Sequence, residues 1–187
     1  TLSLHDALPI CTLMKVWPHP VVVSFHGADA GVNMDKPGHL KAMREVFALA
    51  DKMLCRTESL GRDLMALGCP EEKIAIWRTG VPLAEWKHQP RVAPEDGAWR
   101  LLQVCRFVDK KGLDLTLDAF ADIRRRYPRA ELTLVGDGPK MAELKAQAER
   151  LGLGESVTFP GFLPQGGVRK LIYNSHLFLH PSRTSVD

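Results

Sequence analysis

The chain has 187 residues, 45% hydrophobic and 25% charged, values of an ordinary globular protein that exclude disorder and a fibrous repeat. Twenty-five Lys plus Arg against 22 Asp plus Glu leave a formal +3, too mild an excess for a dedicated nucleic-acid binder. No apolar run approaches the roughly 20 residues that cross a bilayer, and Cys11, Cys55, Cys69 and Cys105 form no C-x-x-C pair, which reads as reduced cytoplasmic thiols and not as a disulfide frame or zinc site.

Residues 1–20 read as an uncertain N-terminal segment, and Thr1–Ile10 within it, with no clear period and neither the basic start nor the long apolar stretch of a signal peptide, as foreign to the fold. Val21-Val22-Val23-Ser24-Phe25 then reads as a strand buried on both faces, ending at His26-Gly27. A helix is expected from about His39 to Ala50, with Leu40, Met43, Phe47 and Ala50 on one face, followed by a strand from Lys52 to Arg56. Ser59 stands as the N-cap of a helix with the stripe Leu60, Leu64 and Leu67, stopped by Gly68 and Pro70. Lys73 to Trp77 is a third strand. From Val81 to Trp99 prolines and mixed charges without a period mark a linker, and a domain boundary is placed there.

The alternation resumes with a strand at Arg100–Cys105 and a helix at Gly112–Tyr127 carrying Leu113, Leu117, Phe120 and Ile123 inward. A strand at Ala130–Val135 follows. Pro139 then opens a helix with Met141, Leu144, Ala148 and Leu151 on one side. Ser156–Phe159 is a strand, Gln165–Asn174 a helix and His176–Leu179 a last strand. Strands alternating with helices, without hairpin turns, give an α/β protein of parallel βαβ sheets.

In such sheets ligands bind beyond the carboxyl ends of the strands. Those ends read His26-Gly27-Ala28-Asp29, Arg78-Thr79-Gly80, Arg106, Gly136-Asp137-Gly138-Pro139, Pro160-Gly161-Phe162 and His180-Pro181-Ser182-Arg183. Glycine admits close approach of backbone, and a following helix N-terminus favours an anion, although βα turns use glycine and polar residues in any case. Arg106 and Lys111 lie five apart, astride a strand exit and the start of a helix. They suit a diphosphate or, equally, a solvated Asp109-Lys110-Lys111 turn. Arg124-Arg125-Arg126 reads as a solvated helix end. The histidines have no ligand spacing, so no metal site is expected; there is no Gly-x-Ser-x-Gly elbow and no Walker loop.

Phe25-His26-Gly27-Ala28-Asp29, then Leu67-Gly68-Cys69-Pro70-x-x-Lys73-Ile74 leading to Gly80-Val81, resembles the family-4 retaining glycosyltransferases of the GT-B fold. So do Cys105-Arg106-x4-Lys111-Gly112, Leu134-Val135-Gly136-Asp137-Gly138-Pro139, Val157-x-Phe159-x-Gly161-Phe162 and Pro181-Ser182. The resemblance runs from about Val21 to Asp187, and is strongest to the bacterial exopolysaccharide type such as colanic acid enzymes. It implies two Rossmann-like domains facing across a cleft, both incomplete here. Residues 21–99 would be the end of the acceptor-side domain plus linker, and residues 100–187 the truncated nucleotide-sugar domain.

The implied activity is hexosyl transfer, with retention, from a nucleotide-diphosphate sugar to a saccharide or lipid-linked acceptor. Exopolysaccharide or cell-surface glycan biosynthesis is the implied setting. By position, Arg106 and Lys111 match the pair that grips the diphosphate, and His26 the histidine that reaches the donor sugar. Gly161 and Phe162 match the segment that meets the base, and Gly138 a turn near the nucleotide. The family needs no metal and no cofactor, and its retention is ascribed to front-face attack without a covalent intermediate. The resemblance also implies a cytoplasmic location with peripheral contact to the inner membrane face, and no nucleic-acid partner.

Three departures stand out. Cys105 replaces the usual glycine, Thr79-Gly80-Val81-Pro82 replaces the usual Asn-Gly-Val-Asp, and the family's Glu-x7-Glu element, due after Pro181-Ser182, falls past Asp187. The 187-residue stretch therefore reads as an inactive fragment. The alternatives are a non-catalytic nucleotide-sugar-binding member and another GT-B enzyme such as a nucleotide-sugar epimerase.

Overall fold

The structure, a computed structural model, describes residues 7–27 and 37–183. Ala28 and Asp29 of the first strand exit, and Thr1–Asp6 of the N-terminal segment, lie outside the described residues. The chain divides into two compact units, one up to Trp86 and one from Lys87 onward.

The described residues of the first unit open with helix α1 (Ala7–Val16), which takes in part of the segment read as foreign to the fold. Its Cys11 and Met14 are buried, and Lys15 pairs with Glu45 of the next helix. Strand β1 (Val22–Phe25), helix α2 (Pro37–Leu49), strand β2 (Lys52–Cys55), helix α3 (Glu58–Ala66) and strand β3 (Ile74–Ile76) follow. The sheet is parallel throughout, in the order β1-β2-β3. β1 is therefore an edge strand among the described residues, and only Phe25 of it is buried while Val22 is 54% exposed. That corrects the expectation of a strand covered on both faces: a β-branched run signals strand, but its place in the sheet decides its burial. Met43, Phe47 and Ala50 of the α2 face, Met53 and Cys55 of β2, and Leu60 and Leu64 of α3 form one core.

Helix α3 is capped by Thr57, whose Oγ1 accepts from the Leu60 N–H at 3.1 Å, and not by Ser59. The C-terminus of α2 has no basic residue in its own last turn. Lys73, arriving from the start of β3, supplies one. Its Nζ donates to the carbonyls of Phe47 (2.9 Å), Ala48 (3.0 Å) and Ala50 (2.9 Å), groups that the helix itself leaves without partners.

The second unit contains strand β4 (Arg100–Val104), helix α4 (Leu113–Arg126), strand β5 (Glu131–Val135), helix α5 (Met141–Arg150), strand β6 (Val157–Gly161), helix α6 (Gln165–Asn174) and strand β7 (Leu177–Phe178). Its parallel sheet has the order β6-β5-β4-β7, so the chain steps outward from β4 through β5 to β6 and returns to the other side of β4 for β7, which makes β4 the switch point. Leu113, Leu117 and Phe120 of α4 pack with Leu101, Leu132, Leu134, Leu144, Ala148 and Phe107 into one core. Leu151 leaves this core for the surface and Leu153 takes its place, because α5 ends at Arg150 and the chain turns there. The proline-rich segment before β4 is tied down. The Lys87 N–H donates to Tyr173 Oη at 2.7 Å, and Arg91 Nη2 to the Ile172 carbonyl at 2.9 Å, so the segment runs along α6. His176 continues the β4–β7 pairing: its Nδ1 accepts from the Arg100 N–H at 2.9 Å, and its ring meets the edge of Trp99.

Candidate functional site

The exits of β4, β5 and β6 converge. Val104, Cys105 and Arg106 from the first, Val135, Gly136 and Asp137 from the second, and Phe162 with Leu163 from the third enclose, with Val168 of α6, a pocket of about 290 Å³. That is close to the lower end, roughly 300 Å³, of small-molecule sites. A larger pocket of about 480 Å³ lies at the opposite, entrance end of β5 and β6, where Glu131 and Ser156 line it. Its arginines are engaged, Arg124 by the Ala130 carbonyl and Arg129 by Asp96. The smaller pocket is the candidate, since parallel sheets bind ligands beyond their carboxyl ends.

Backbone packing fixes the pocket's floor. The Gly136 N–H donates to the Gly161 carbonyl at 2.9 Å, and the Phe107 N–H to the Asp137 carbonyl at 2.8 Å. Gly136 has φ +133°, and a Cβ there would lie 1.9 Å from the Cys105 carbonyl oxygen. A Cβ on Gly138 would come within 2.5 Å of the Phe107 carbonyl oxygen. Both glycines are thus demanded by the close approach of two strand-exit loops. Phe162, in contrast, stands 81% exposed at the rim.

The loop from Cys105 to Gly112 passes through a single 3-10 turn at Asp109–Lys111 before α4. Arg106 is exposed and Lys111 half-buried. Two neighbouring cations are paired. Lys140 bonds Asp109 at 2.9 Å and Glu143 at 2.7 Å, and those two carboxylates, Glu143 foremost, hold its ammonium well above the usual lysine range. Arg183 pairs with Asp114. Arg106 and Lys111, with Lys110, have no carboxylate partner among the described residues. Burial pushes the Cys105 thiol up, against smaller opposing effects of Gln103 and Lys111, so the residue in the place of the usual glycine is a protonated wall group.

The second unit therefore brings Arg106 and Phe162 to one pocket. Gly161 reaches the same floor through its carbonyl, Gly138 lies behind it against Phe107, and Lys111 sits at the far end of the Arg106 loop. His26 belongs to the first unit, exposed just past β1 with its Nε2 3.2 Å from Ser24 Oγ. Among the described residues no group of three His, Cys, Asp or Glu is placed to hold a metal, and no helix is long and apolar enough to cross a membrane.

Sequence reasoning missed one feature of this site. Gln103 and Thr116 form a buried polar pair beneath the Arg106–Lys111 loop. A single Gln in an apolar strand and a single Thr in a helix carry no periodic or motif signal by which to find them.

The chain is similar to known proteins along most of its length. The chain is 30% identical over 174 residues to the amylovoran biosynthesis glycosyltransferase AmsK of Erwinia amylovora, covering 93% of this chain and 42% of that protein. It is 28% identical over 167 residues to WcaL of Escherichia coli K12, named for colanic acid biosynthesis, covering 89% of this chain and 41% of that protein. The chain thus spans less than half the length of these relatives. Among solved structures, Anabaena HepE in complex with UDP and glucose superposes with a TM-score of 0.77 at 19% identity, over 96% of this chain and 50% of HepE. The shared architecture is the GT-B fold of parallel-sheet units. The family model "Glycosyltransferase Family 4" matches residues 3–85, so that match includes the segment read as foreign. A second, "Glycosyl transferases group 1", matches residues 84–185, more than half of the chain and all of the candidate pocket. The chain belongs to the glycosyl transferases group 1 family.

Proposed function

We propose that this chain is part of a retaining glycosyltransferase. It would move a hexosyl group from a nucleotide-diphosphate sugar to a saccharide or lipid-linked acceptor in exopolysaccharide or cell-surface glycan biosynthesis. The observation that carries the reading is the unneutralised Arg106 guanidinium at the convergence of three strand exits, on a loop that leads through Lys111 into the N-terminus of α4. When the glycosidic bond to the donor breaks, negative charge grows on the departing diphosphate. Fixed cations and helix N–H groups stabilise that charge without a metal. Arg106 offers two parallel donors to phosphate oxygens, and Lys111 adds a point charge. Phe162 and the Gly161 backbone at the rim take the base, and Gly138 allows the close packing that shapes the floor.

His26 is given a catalytic role by the family resemblance, toward the donor sugar. A membrane-linked acceptor would bring the enzyme to the inner membrane face by peripheral contact. AmsK and WcaL, named for polysaccharide biosynthesis, and HepE, solved with UDP and glucose, support the donor and acceptor classes.

The test is turnover by the full-length protein with a panel of UDP- and GDP-sugars. Arg106→Ala and Lys111→Ala are each expected to lower transfer by roughly 100- to 1,000-fold with the melting temperature unchanged. His26→Ala is expected to lower turnover while nucleotide affinity stays. Undiminished turnover in the Arg106 and Lys111 variants overturns the site. Tight binding of nucleotide without turnover by the wild type favours a non-catalytic member.

A further inference from the structure

The one polar side chain on the buried part of β4 is Gln103, 1% exposed, and it faces Thr116 of α4, 2% exposed. An amide in a core is costly unless its donors and acceptor are satisfied. Here they are. Gln103 Nε2 donates to the Lys111 carbonyl at 3.0 Å and to Cys105 Sγ at 3.5 Å, while Oε1 accepts from the Thr116 hydroxyl at 2.6 Å. The Thr116 hydroxyl has one proton to give, and the Gly112 carbonyl at 3.4 Å is the weaker claimant. One side chain thereby ties three segments together: the exit of β4, the end of the Arg106–Lys111 loop, and the first turns of α4.

The same loop is held from its outer side. The Arg183 N–H donates to the Lys110 carbonyl at 2.8 Å. Gly112, at φ +63°, lies so close to Pro181 that a Cβ would stand 2.1 Å from its carbonyl oxygen. The backbone on which Lys111 rides is therefore clamped on both faces. Two long cations without carboxylate partners have no side-chain restraint of their own, so the backbone clamp must supply the preorganisation that a phosphate site needs.

We propose that Gln103, steadied by Thr116, is a positioning residue that fixes Lys111 and the α4 N-terminus relative to Arg106 for the two phosphates of a nucleoside diphosphate. This rests on the donor reading above. In the full-length protein, the affinity for UDP and GDP is compared by calorimetry with that for uridine and guanosine by ligand-detected NMR. The variants are Gln103→Met, which keeps volume and removes the amide, Thr116→Val and Thr116→Ser. Gln103→Met is expected to weaken the diphosphate roughly tenfold or more, to leave the nucleoside within about twofold and to lower kcat for transfer. Thr116→Val gives a smaller loss of the same kind, and Thr116→Ser restores it.

Equal weakening of diphosphate and nucleoside, or no change in either, with melting temperature preserved, overturns the positioning role and leaves the donor reading standing. A wild type that binds neither UDP nor GDP overturns both. Should Gln103→Met fail to fold, the Thr116→Val and Thr116→Ser pair decides by the same ratio.

Discussion

Replacing Lys73 by Met removes an ammonium that serves three carbonyls at the end of α2, at 2.9, 3.0 and 2.9 Å, while keeping most of the apolar stem. A hydrogen bond to a charged group contributes about 1.5–3 kcal/mol net, and a cation at a helix C-terminus about 0.3–1 kcal/mol. Three bonds from one ammonium are not additive, and holding the lysine in one rotamer costs up to about 2 kcal/mol. The expected net loss is about 2 kcal/mol. With a urea dependence of about 2 kcal/mol per molar, the unfolding midpoint of the first unit should fall by about 1 M, read from circular dichroism. Hydrogen exchange should speed up most at the last turn of α2. Lys52 is the internal control, for it makes one exposed bond, to the Glu72 carbonyl at 2.6 Å. Lys52→Met is expected to stay within about 0.5 kcal/mol of wild type. A Lys73→Met protein as stable as wild type, or a Lys52→Met protein equally damaged, refutes the capping argument.

Gly136→Ala should prevent the second unit from closing its β4–β5 exits, since the new methyl would lie 1.9 Å from the Cys105 carbonyl oxygen; a loss of several kcal/mol, above about 3, is expected in chemical denaturation. Phe162→Ala should leave stability within about 0.5 kcal/mol, because the ring is already exposed. It should also weaken UDP or GDP by roughly tenfold if the ring stacks on the base, and full retention of affinity argues against that contact. His176 is held below the usual histidine range, first by burial and then by Arg100 and Arg91. Its folded form resists protonation more than its unfolded form. Stability is therefore fully present above the unfolded value of about 6.5 and falls as pH drops from there toward the folded pKa. His176→Asn should flatten that decline between pH 7.5 and 5.5 in urea midpoints, and an unchanged slope would assign it elsewhere.

The parallel βαβ plan was legible because apolar spacing on α2, α3 and α4 survives in the packed faces, and α6 appears with the bounds its sequence predicts. α1 was hidden because the sequence of Ala7–Val16 carries no clear apolar period by which to tell a helix from a loop. The N-cap fell two residues from its expected place since Thr57 and Ser59 are chemically alike, and only the Leu60 N–H selects between them. At the pocket, Arg106 and Phe162 could be placed from strand exits alone. The pairing of Lys140 and Arg183 with nearby acids, which leaves Arg106 and Lys111 without carboxylates, could not, for it depends on contacts between segments up to 69 residues apart. Lys73, read from the sequence only as the start of a strand, also closes α2, a role hidden because that contact joins residues 23 to 26 positions apart.

The touching backbones at Gly136 and Gly138 bear on how kin of this chain are to be judged. In an alignment, glycine at both positions would look like a signature of catalysis, yet steric exclusion by Cys105 and Phe107 is enough to forbid any other residue there. A paralogue that had abandoned sugar transfer would still be obliged to keep the pair in order to fold. Retained glycines therefore certify architecture, and on the function proposed above the sorting of working enzymes from retired ones falls to positions the fold does not need, Arg106 first among them.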